Sequence, residues 1–171
     1  MAKLFLHVGH GKTGTSSIQN TMFKNADLLR NSYDINYPIF AINHWSFAVP
    51  FVQAGEFQPA DDALRRSAGT LADIRTAAVR EVDGFRRNVM AFSRHVLSSE
   101  YFFHLGEHTL RSMKESFDEL ALDTKVIVYV RDPADLVSSL VNQMVKTGQG
   151  SLASIQPIDA FQQDRIAIFV S

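Results

Sequence analysis

The sequence predicts an α/β protein with a three-layer α/β/α fold around a central parallel sheet. Short apolar runs of strand type alternate along the chain with stretches in which apolar residues recur at helical spacing. Strands that alternate with helices in this way form a parallel sheet with helices on both faces. The chain has 171 residues and no internal repeat, so we expect one domain that spans residues 1–171.

Short stretches of strand type, some of them apolar runs, predict five strands, and the helical spacing predicts four helices. We expect strands at residues 4–8, 33–37, 94–98, 125–130 and 166–170. We expect helices that contain residues 18–29, 59–82, 109–120 and 133–148. The last helix has the clearest start, because Asp132 suits its cap and Pro133 its first position. The stretch 41–53 fits neither pattern, and its Trp45, Phe47 and Phe51 suit core packing better than the lining of a sugar-binding cleft.

The composition excludes several classes of protein. The chain contains no cysteine, which rules out a disulfide scaffold, a zinc site built on thiolates and a thiol nucleophile. Its net charge of −1 gives no reason to expect nucleic-acid binding. No apolar run approaches the ~18 residues of a membrane-spanning helix, so we expect a cytoplasmic protein without a membrane span.

A glycine-rich loop joins the first strand to the first helix and reads Gly9-His10-Gly11-Lys12-Thr13-Gly14-Thr15-Ser16. A helix start leaves about four backbone N–H groups without partners and carries a partial positive charge. The glycines let the loop wrap so that N–H groups point inward, Lys12 adds a full charge, and three hydroxyl side chains add donors. The pattern predicts a phosphate cradle. The alternative is an ordinary glycine-rich turn with a surface lysine.

The loop departs from the nucleoside-triphosphate loop, in which a glycine, four residues and Gly-Lys-Ser/Thr follow one another. Leu6 stands five residues before Gly11, where a glycine is required, and Thr15 follows Gly14 where a lysine is required. Strand 125–130 ends in Arg131 rather than in an aspartate that would bind magnesium. The site therefore favours a cationic side chain over a metal ion.

A second polar motif begins where strand 125–130 ends. Arg131 comes first, and its planar guanidinium suits a phosphate held by two hydrogen bonds. On a helix that begins at Pro133, Asp135 and Ser139 share one polar stripe, and Ser139 is placed to donate to the same phosphate. The alternative is a surface Arg–Asp pair beside a capped helix. Because both motifs directly follow strands, we expect them at the same carboxyl edge of the sheet.

Together the two motifs resemble those of the sulfotransferases that use 3′-phosphoadenosine-5′-phosphosulfate (PAPS). Residues 7–16 are similar to the 5′-phosphosulfate loop of that family, whose core is Lys-Ser/Thr-Gly-Thr-Ser/Thr. Arg131-Asp132-Pro133, followed by Asp135 and Ser139, is similar to the 3′-phosphate motif of the family. The segment 98–102 resembles the middle of bacterial carbohydrate-type members more loosely. His10 departs from the pattern, since many relatives carry proline or a small residue there.

The resemblance implies a P-loop-like sulfotransferase fold and transfer of a sulfuryl group from PAPS to a hydroxyl or amine, with 3′,5′-ADP as product and no metal. The implied acceptor is a carbohydrate or another small metabolite. Arg131 and Ser139 would bind the 3′-phosphate, and Lys12 would also stabilise the leaving oxygen. The implied 5′-phosphosulfate site consists of Gly11, Lys12, Thr13, Gly14, Thr15 and Ser16. Members of the family are usually longer, so we expect the C-terminal part of the family fold to be absent.

The transfer also needs a base for the proton of the acceptor, and histidine or a carboxylate is the usual type. Glu100 is the first candidate, because it follows a strand in the segment that resembles the family. Its alternative role is that of a helix cap or a solvated charge. His44 is the second candidate, although a histidine near aromatic residues more often belongs to the core. Two other functions stay open: a P-loop kinase with an irregular phosphate loop, and a non-catalytic nucleotide-binding relative.

Overall fold

In the part of the chain that the structure describes, four parallel strands form one sheet in the order β2-β3-β1-β4. The computed structural model describes residues 1–9, 13–52 and 70–146. The strands are β1 (Lys3–Gly9), β2 (Ile35–Asn36), β3 (Arg94–Ser99) and β4 (Asp123–Tyr129). The predicted α/β class with a parallel sheet is therefore confirmed. The expected strand at 166–170 lies outside the described residues.

Five α-helices and three 3₁₀ segments accompany the sheet in the described parts of the chain. The α-helices are α1 (Thr15–Lys24), α2 (Ala26–Tyr33), α3 (Leu71–Asn88), α4 (Glu107–Glu119) and α5 (Pro133–Lys146). The 3₁₀ segments are His44–Phe51, Val89–Ala91 and Glu100–His104. The chain divides into two compact units, Met1–Val130 and Arg131–Ser171. The sheet and α1 to α4 belong to the first unit, and α5 belongs to the second.

The prediction of one helix over 18–29 is wrong, because Asn25 separates α1 from α2. Its backbone leaves the helical region, with φ −106° and ψ 17°. Its side-chain amide donates to the carbonyl oxygen of Thr21 at 2.8 Å, and its backbone N–H donates to the same oxygen at 3.1 Å. An asparagine that satisfies backbone groups locally offers the chain an alternative to helix continuation.

The predicted helix over 59–82 is also wrong in its bounds. Residues 53–69 lie outside the described part, but Thr70 has extended backbone and caps the start of α3 at Leu71. The Thr70 hydroxyl accepts from the N–H of Asp73, and the Asp73 carboxylate accepts from the N–H of Thr70, so both form a capping box. The helix continues to Asn88 because Val82 and Phe85 extend its buried stripe. The short strand expected at 33–37 shrinks to β2, since Tyr33 ends α2.

The core of the first unit lies on one face of the sheet. Leu4 and Leu6 of β1 and Leu97 of β3 enter it with the aromatic residues of the surrounding segments. Phe47 is at its centre, in edge-to-face contact with Phe85 at 5.3 Å and stacked on Phe117 at 5.9 Å between ring centroids. Trp45 and Phe51 pack against the same cluster. The aromatic stretch that fitted neither sequence pattern thus forms a 3₁₀ segment that packs in the core.

β4 is an exception to the burial expected of a parallel strand. Its consecutive apolar side chains alternate between the two faces of the sheet, and they remain exposed: Val126 by 61%, Ile127 by 37% and Val128 by 45%. In the described residues β4 pairs with β1 on one side only. No helix among the described residues is long and apolar enough to cross a membrane.

Candidate functional site

The carboxyl end of β1 approaches α1 so closely that only glycine fits at position 9. A Cβ atom placed on Gly9 would lie 2.3 Å from Oγ1 of Thr15 and 2.6 Å from its Cγ2. Thr15 is the first residue of α1 and is 3% exposed, so its side chain has no space into which to move. The first helical turn therefore rests directly on the end of the strand, on the face opposite to Val8 and the core.

Gly14 allows the chain to enter α1. It is the N-cap of the helix and has φ +83°, a left-handed conformation that residues with a Cβ rarely adopt. Its carbonyl oxygen accepts from the N–H groups of Ser17 at 3.0 Å and Ile18 at 3.2 Å. The two glycines of the loop that the structure describes are thus required for different reasons: Gly9 for space and Gly14 for its backbone conformation.

The start of α1 differs electrostatically from the starts of the other described α-helices. Those four helices each carry a carboxylate in the first turn, namely Asp27, Asp73, Glu107 and Asp135. The first turn of α1 has none, and its glycine N-cap has no side chain to accept from the helix. The hydroxyl oxygens of Thr13 and Thr15 lie 3.3 Å apart at this end. The partial positive charge of this helix start is therefore not offset by an acidic residue of the first turn.

Two further segments reach the same edge of the sheet in the first unit. Gly9 pairs with Tyr129, the last residue of β4, and Val8 pairs with Ser99, the last residue of β3. Glu100 comes next in the chain and is half-buried at the start of a 3₁₀ segment. The hydroxyl of Ser99 accepts from the N–H of Tyr101 at 3.1 Å and caps that segment. Glu100 is thus at the carboxyl edge where α1 begins, as the sequence predicts. Gly11 and Lys12 lie outside the described residues.

His44 is held by both of its ring nitrogens. Nε2 donates to the carbonyl oxygen of Pro38 at 2.8 Å, and Nδ1 accepts from the backbone N–H of Ser98 at 3.0 Å. The ring is fully buried and lies beside the rings of Tyr37 and Phe40. Burial lowers the pKa of His44 to about 4, although the bond to Pro38 acts in the opposite direction. A base needs an accessible lone pair, so this placement favours the core role of His44 over the catalytic one.

Three long-range polar pairs were not identified from the sequence. Nδ1 of His7 lies 2.7 Å from Oγ of Ser98, and burial lowers the pKa of His7. The second pair joins Asn36 Nδ2 and His95 Nδ1 at 3.3 Å. In the third pair, the hydroxyl of Ser46 donates to the carboxylate of Glu81, and burial raises the pKa of Glu81. The partners are 35 to 91 residues apart in sequence, so periodicity and spacing carry no signal for them.

The second unit contains the motif that begins at Arg131. Oδ1 of Asp132 accepts from the N–H of Ala134 at 2.9 Å, which confirms the predicted cap and start of α5. Arg131 Nε lies 4.0 Å from a carboxylate oxygen of Asp135. Ser139 is half-buried, one helical turn after Asp135. The expected end of this helix near residue 148 lies outside the described residues.

Comparisons of the chain with models of known protein families, with curated proteins and with solved structures give no match.

Proposed function

We propose that the protein is a sulfotransferase that moves a sulfuryl group from PAPS to a hydroxyl or amine of a carbohydrate or small-molecule acceptor. The observation that carries the proposal is the start of α1. There a strand, a glycine without room for a Cβ, a left-handed glycine and a helix without an acidic first turn follow one another. These features are more typical of a site that binds an anion than of a glycine-rich turn without a ligand. We also propose that the fold is of the P-loop-like type found in this family.

The residues of the loop would bind the 5′-phosphosulfate of PAPS. Gly11, Thr13, Gly14, Thr15 and Ser16 offer backbone N–H groups, and three of them offer hydroxyl groups. Lys12 would donate to the oxygen that bridges phosphate and sulfate, where negative charge grows as the bond to sulfur breaks. Loss of a donor at such a position typically costs ~10²–10³ in rate.

Arg131 and Ser139 would bind the 3′-phosphate and so distinguish PAPS from ATP. The proposal for these two residues rests on their spacing within the motif and on the start of α5 at Pro133, which gives Ser139 its place on the helix. The 4.0 Å pair between Arg131 and Asp135 also suits the simpler alternative of a surface ion pair. Binding of a 3′-phosphate is therefore the property to test first.

Glu100 would take the proton of the acceptor. It is at the carboxyl edge and half-buried, whereas both nitrogens of His44 already have partners. The carboxylate would accept the proton of the acceptor hydroxyl as the acceptor oxygen forms its bond to sulfur.

Calorimetric measurements of nucleotide binding, followed by a turnover assay, distinguish the sulfotransferase from the P-loop kinase and from the non-catalytic relative. Binding of 3′,5′-ADP without metal supports a sulfotransferase or a non-catalytic relative, whereas binding of ATP only with magnesium supports the kinase. Turnover of PAPS with a panel of sugar, alcohol and amine acceptors then separates the enzyme from the relative.

Single substitutions test the roles proposed for Lys12, Arg131 and Glu100. Each of Lys12→Ala and Arg131→Ala should weaken 3′,5′-ADP binding about 10- to 100-fold, as expected for loss of a charged hydrogen bond. Lys24→Ala, at the exposed far end of α1, is the matched control. Glu100→Ala should spare binding and reduce turnover. Unchanged affinity in both Lys12→Ala and Arg131→Ala would refute the assignment.

A further inference from the structure

A chain of buried hydrogen bonds crosses the strand ends directly before Glu100. Nε2 of His44 donates to the carbonyl oxygen of Pro38 at 2.8 Å, and Nδ1 accepts from the backbone N–H of Ser98 at 3.0 Å. Oγ of Ser98 in turn lies 2.7 Å from Nδ1 of His7 on β1. The two histidines and the serine are each 3% exposed or less, so solvent water does not compete for these bonds.

The ring of His44 takes the place of a strand that has already ended. β2 consists of two residues and pairs with β3 only as far as His95. Ser98 comes three residues later on β3, beyond the end of this pairing. A buried N–H group needs an acceptor, and Nδ1 of His44 supplies it. The loop that follows β2 is thereby fastened to the end of β3.

Ser98 is thus held from both sides of its strand, two residues before Glu100. On the side of β1 it pairs with His7, and the two side chains bond to each other on one face of the sheet. The hydroxyl of the next residue, Ser99, accepts from the N–H of Tyr101 and caps the 3₁₀ segment. A shift of Ser98 would therefore move Glu100, because only Ser99 lies between them and it is itself bonded to the segment.

The same bonds reach the strand that carries the glycine-rich loop. His7 stands two residues before the glycine on which the first turn of α1 rests. We propose that His44 and His7 are positioning residues for the base Glu100: through their bonds to the same serine they fix its carboxylate relative to the start of α1. A misplacement of ~1 Å in a reacting group can cost ~10²-fold in rate. The effect on turnover rests on the proposed function, whereas the hold on the segment does not.

Two replacements of His44 separate its two bonds. In His44→Asn the amide oxygen takes the position of Nδ1 and can accept from Ser98, but the donor to Pro38 is lost. In His44→Gln the amide nitrogen takes the position of Nε2 and can donate to Pro38, but the acceptor for Ser98 is lost. Both variants remove the ring, so each controls for the lost packing of the other. Amide exchange at Ser98 and Tyr101 should be about tenfold faster in His44→Gln, beyond any difference in global stability. Equal exchange in the two variants overturns the hold on the segment.

Turnover then shows whether this hold positions the base. With saturating PAPS, kcat should be about tenfold lower in His44→Gln than in His44→Asn, with equal affinities for 3′,5′-ADP, because neither variant alters the loop that would bind it. A purely structural role would lower kcat alike in both, and that outcome overturns the positioning role. If the native chain turns over no PAPS, the proposed function fails, and the exchange rates still decide whether the segment is held.

Ser98→Ala tests the bond to His7 with a smaller change. It keeps the backbone N–H for His44 and removes only the hydroxyl. We expect kcat to fall about tenfold at unchanged affinity for 3′,5′-ADP, and exchange at Tyr101 to accelerate. Ser32→Ala, at an exposed serine of α2, is the control and should change neither. Native kcat or native exchange in Ser98→Ala would overturn the role of His7.

Discussion

Replacement of Gly9 by alanine tests the close contact between Gly9, at the end of β1, and Thr15, at the start of α1. The added Cβ would lie 2.3 Å and 2.6 Å from two side-chain atoms of Thr15 and 3.0 Å from its Cβ. Real Cβ atoms do not approach this closely, and the side chain of Thr15 is stiff because it is branched at Cβ. The helix must therefore move away from the strand. Overpacking of this kind costs about 1–3 kcal/mol, and we expect a value near the upper end because neither partner can rotate away.

Urea denaturation measures this cost, and two other glycines calibrate it. In a thermal melt, a loss of about 3 kcal/mol would lower Tm by roughly 6–12 °C in a chain of this size. Gly14→Ala should cost about 1–2 kcal/mol through its φ of +83° alone, since among the described residues, its chain neighbours aside, no atom lies within 4 Å of the new Cβ. Gly84→Ala should instead stabilise by about 0.5–1 kcal/mol, because Gly84 is inside α3 and its nearest atom is 3.9 Å away.

The double variant Gly9→Ala with Thr15→Ala identifies the cause of the loss. It removes the two closest atoms and leaves the contact at 3.0 Å. We therefore expect the double variant to be nearly as stable as Thr15→Ala alone, so that Gly9→Ala costs much less in this background than in the native chain. If the free energies of unfolding of the native chain and of Gly9→Ala differ by less than about 0.5 kcal/mol, the close approach of α1 to β1 is refuted. A double variant without any recovery would show that the loss has another origin.

Three further outcomes are expected. Stability should fall as the pH decreases from 7 to 5: the pKa of His44 is about 4 in the folded chain against 6.5 for the free side chain, so the unfolded chain binds the proton more strongly. His44 alone would account for about 2 kcal/mol of this loss, measured from urea midpoints, and Glu81 acts in the opposite direction because its pKa is raised. Thr70→Ala should cost about 1 kcal/mol, measured in the same way, through loss of the capping box of α3; no loss would contradict that cap. Val126→Lys should change the free energy of unfolding by less than about 0.5 kcal/mol, since Val126 is 61% exposed. As a control, Leu97→Ala at a fully buried position should cost about 2–5 kcal/mol. A large loss in Val126→Lys would show that β4 is covered in solution.

Local signals account for the parts of the fold that the sequence predicts correctly. β1 and β4 contain short apolar runs, and β3 contains the strand-favouring pair Val96-Leu97 between polar residues, so local patterns of strand type mark all three. The start of α5 follows from Asp132 and Pro133, because a cap depends on residues that are adjacent in sequence. The exposure of β4 could not be predicted, because burial depends on which elements cover a strand and not on the strand itself.

The candidate site shows the same division between local and long-range information. The need for glycine at position 14 follows from local chain conformation and can be read from the pattern of the loop. The need for glycine at position 9 arises from Thr15, and that contact becomes visible only when helix and strand are packed together. The bonds of His44 to Pro38 and Ser98 depend on how distant segments meet in the core. The sequence therefore shows that His44 is near aromatic residues, but it does not show that both ring nitrogens form hydrogen bonds.

The roles of Glu100 and His44 can be separated because their surroundings differ in kind. His44 is fully buried with both nitrogens bonded, so its replacement would leave the carbonyl of Pro38 and the N–H of Ser98 without partners and would lower stability. Glu100 is half-buried at the carboxyl edge of the sheet, so its replacement removes a carboxylate where an acceptor would bind without leaving such groups in the core. A group that acts in catalysis at this edge should thus affect turnover more than stability, and of the two candidates only Glu100 is placed to do so.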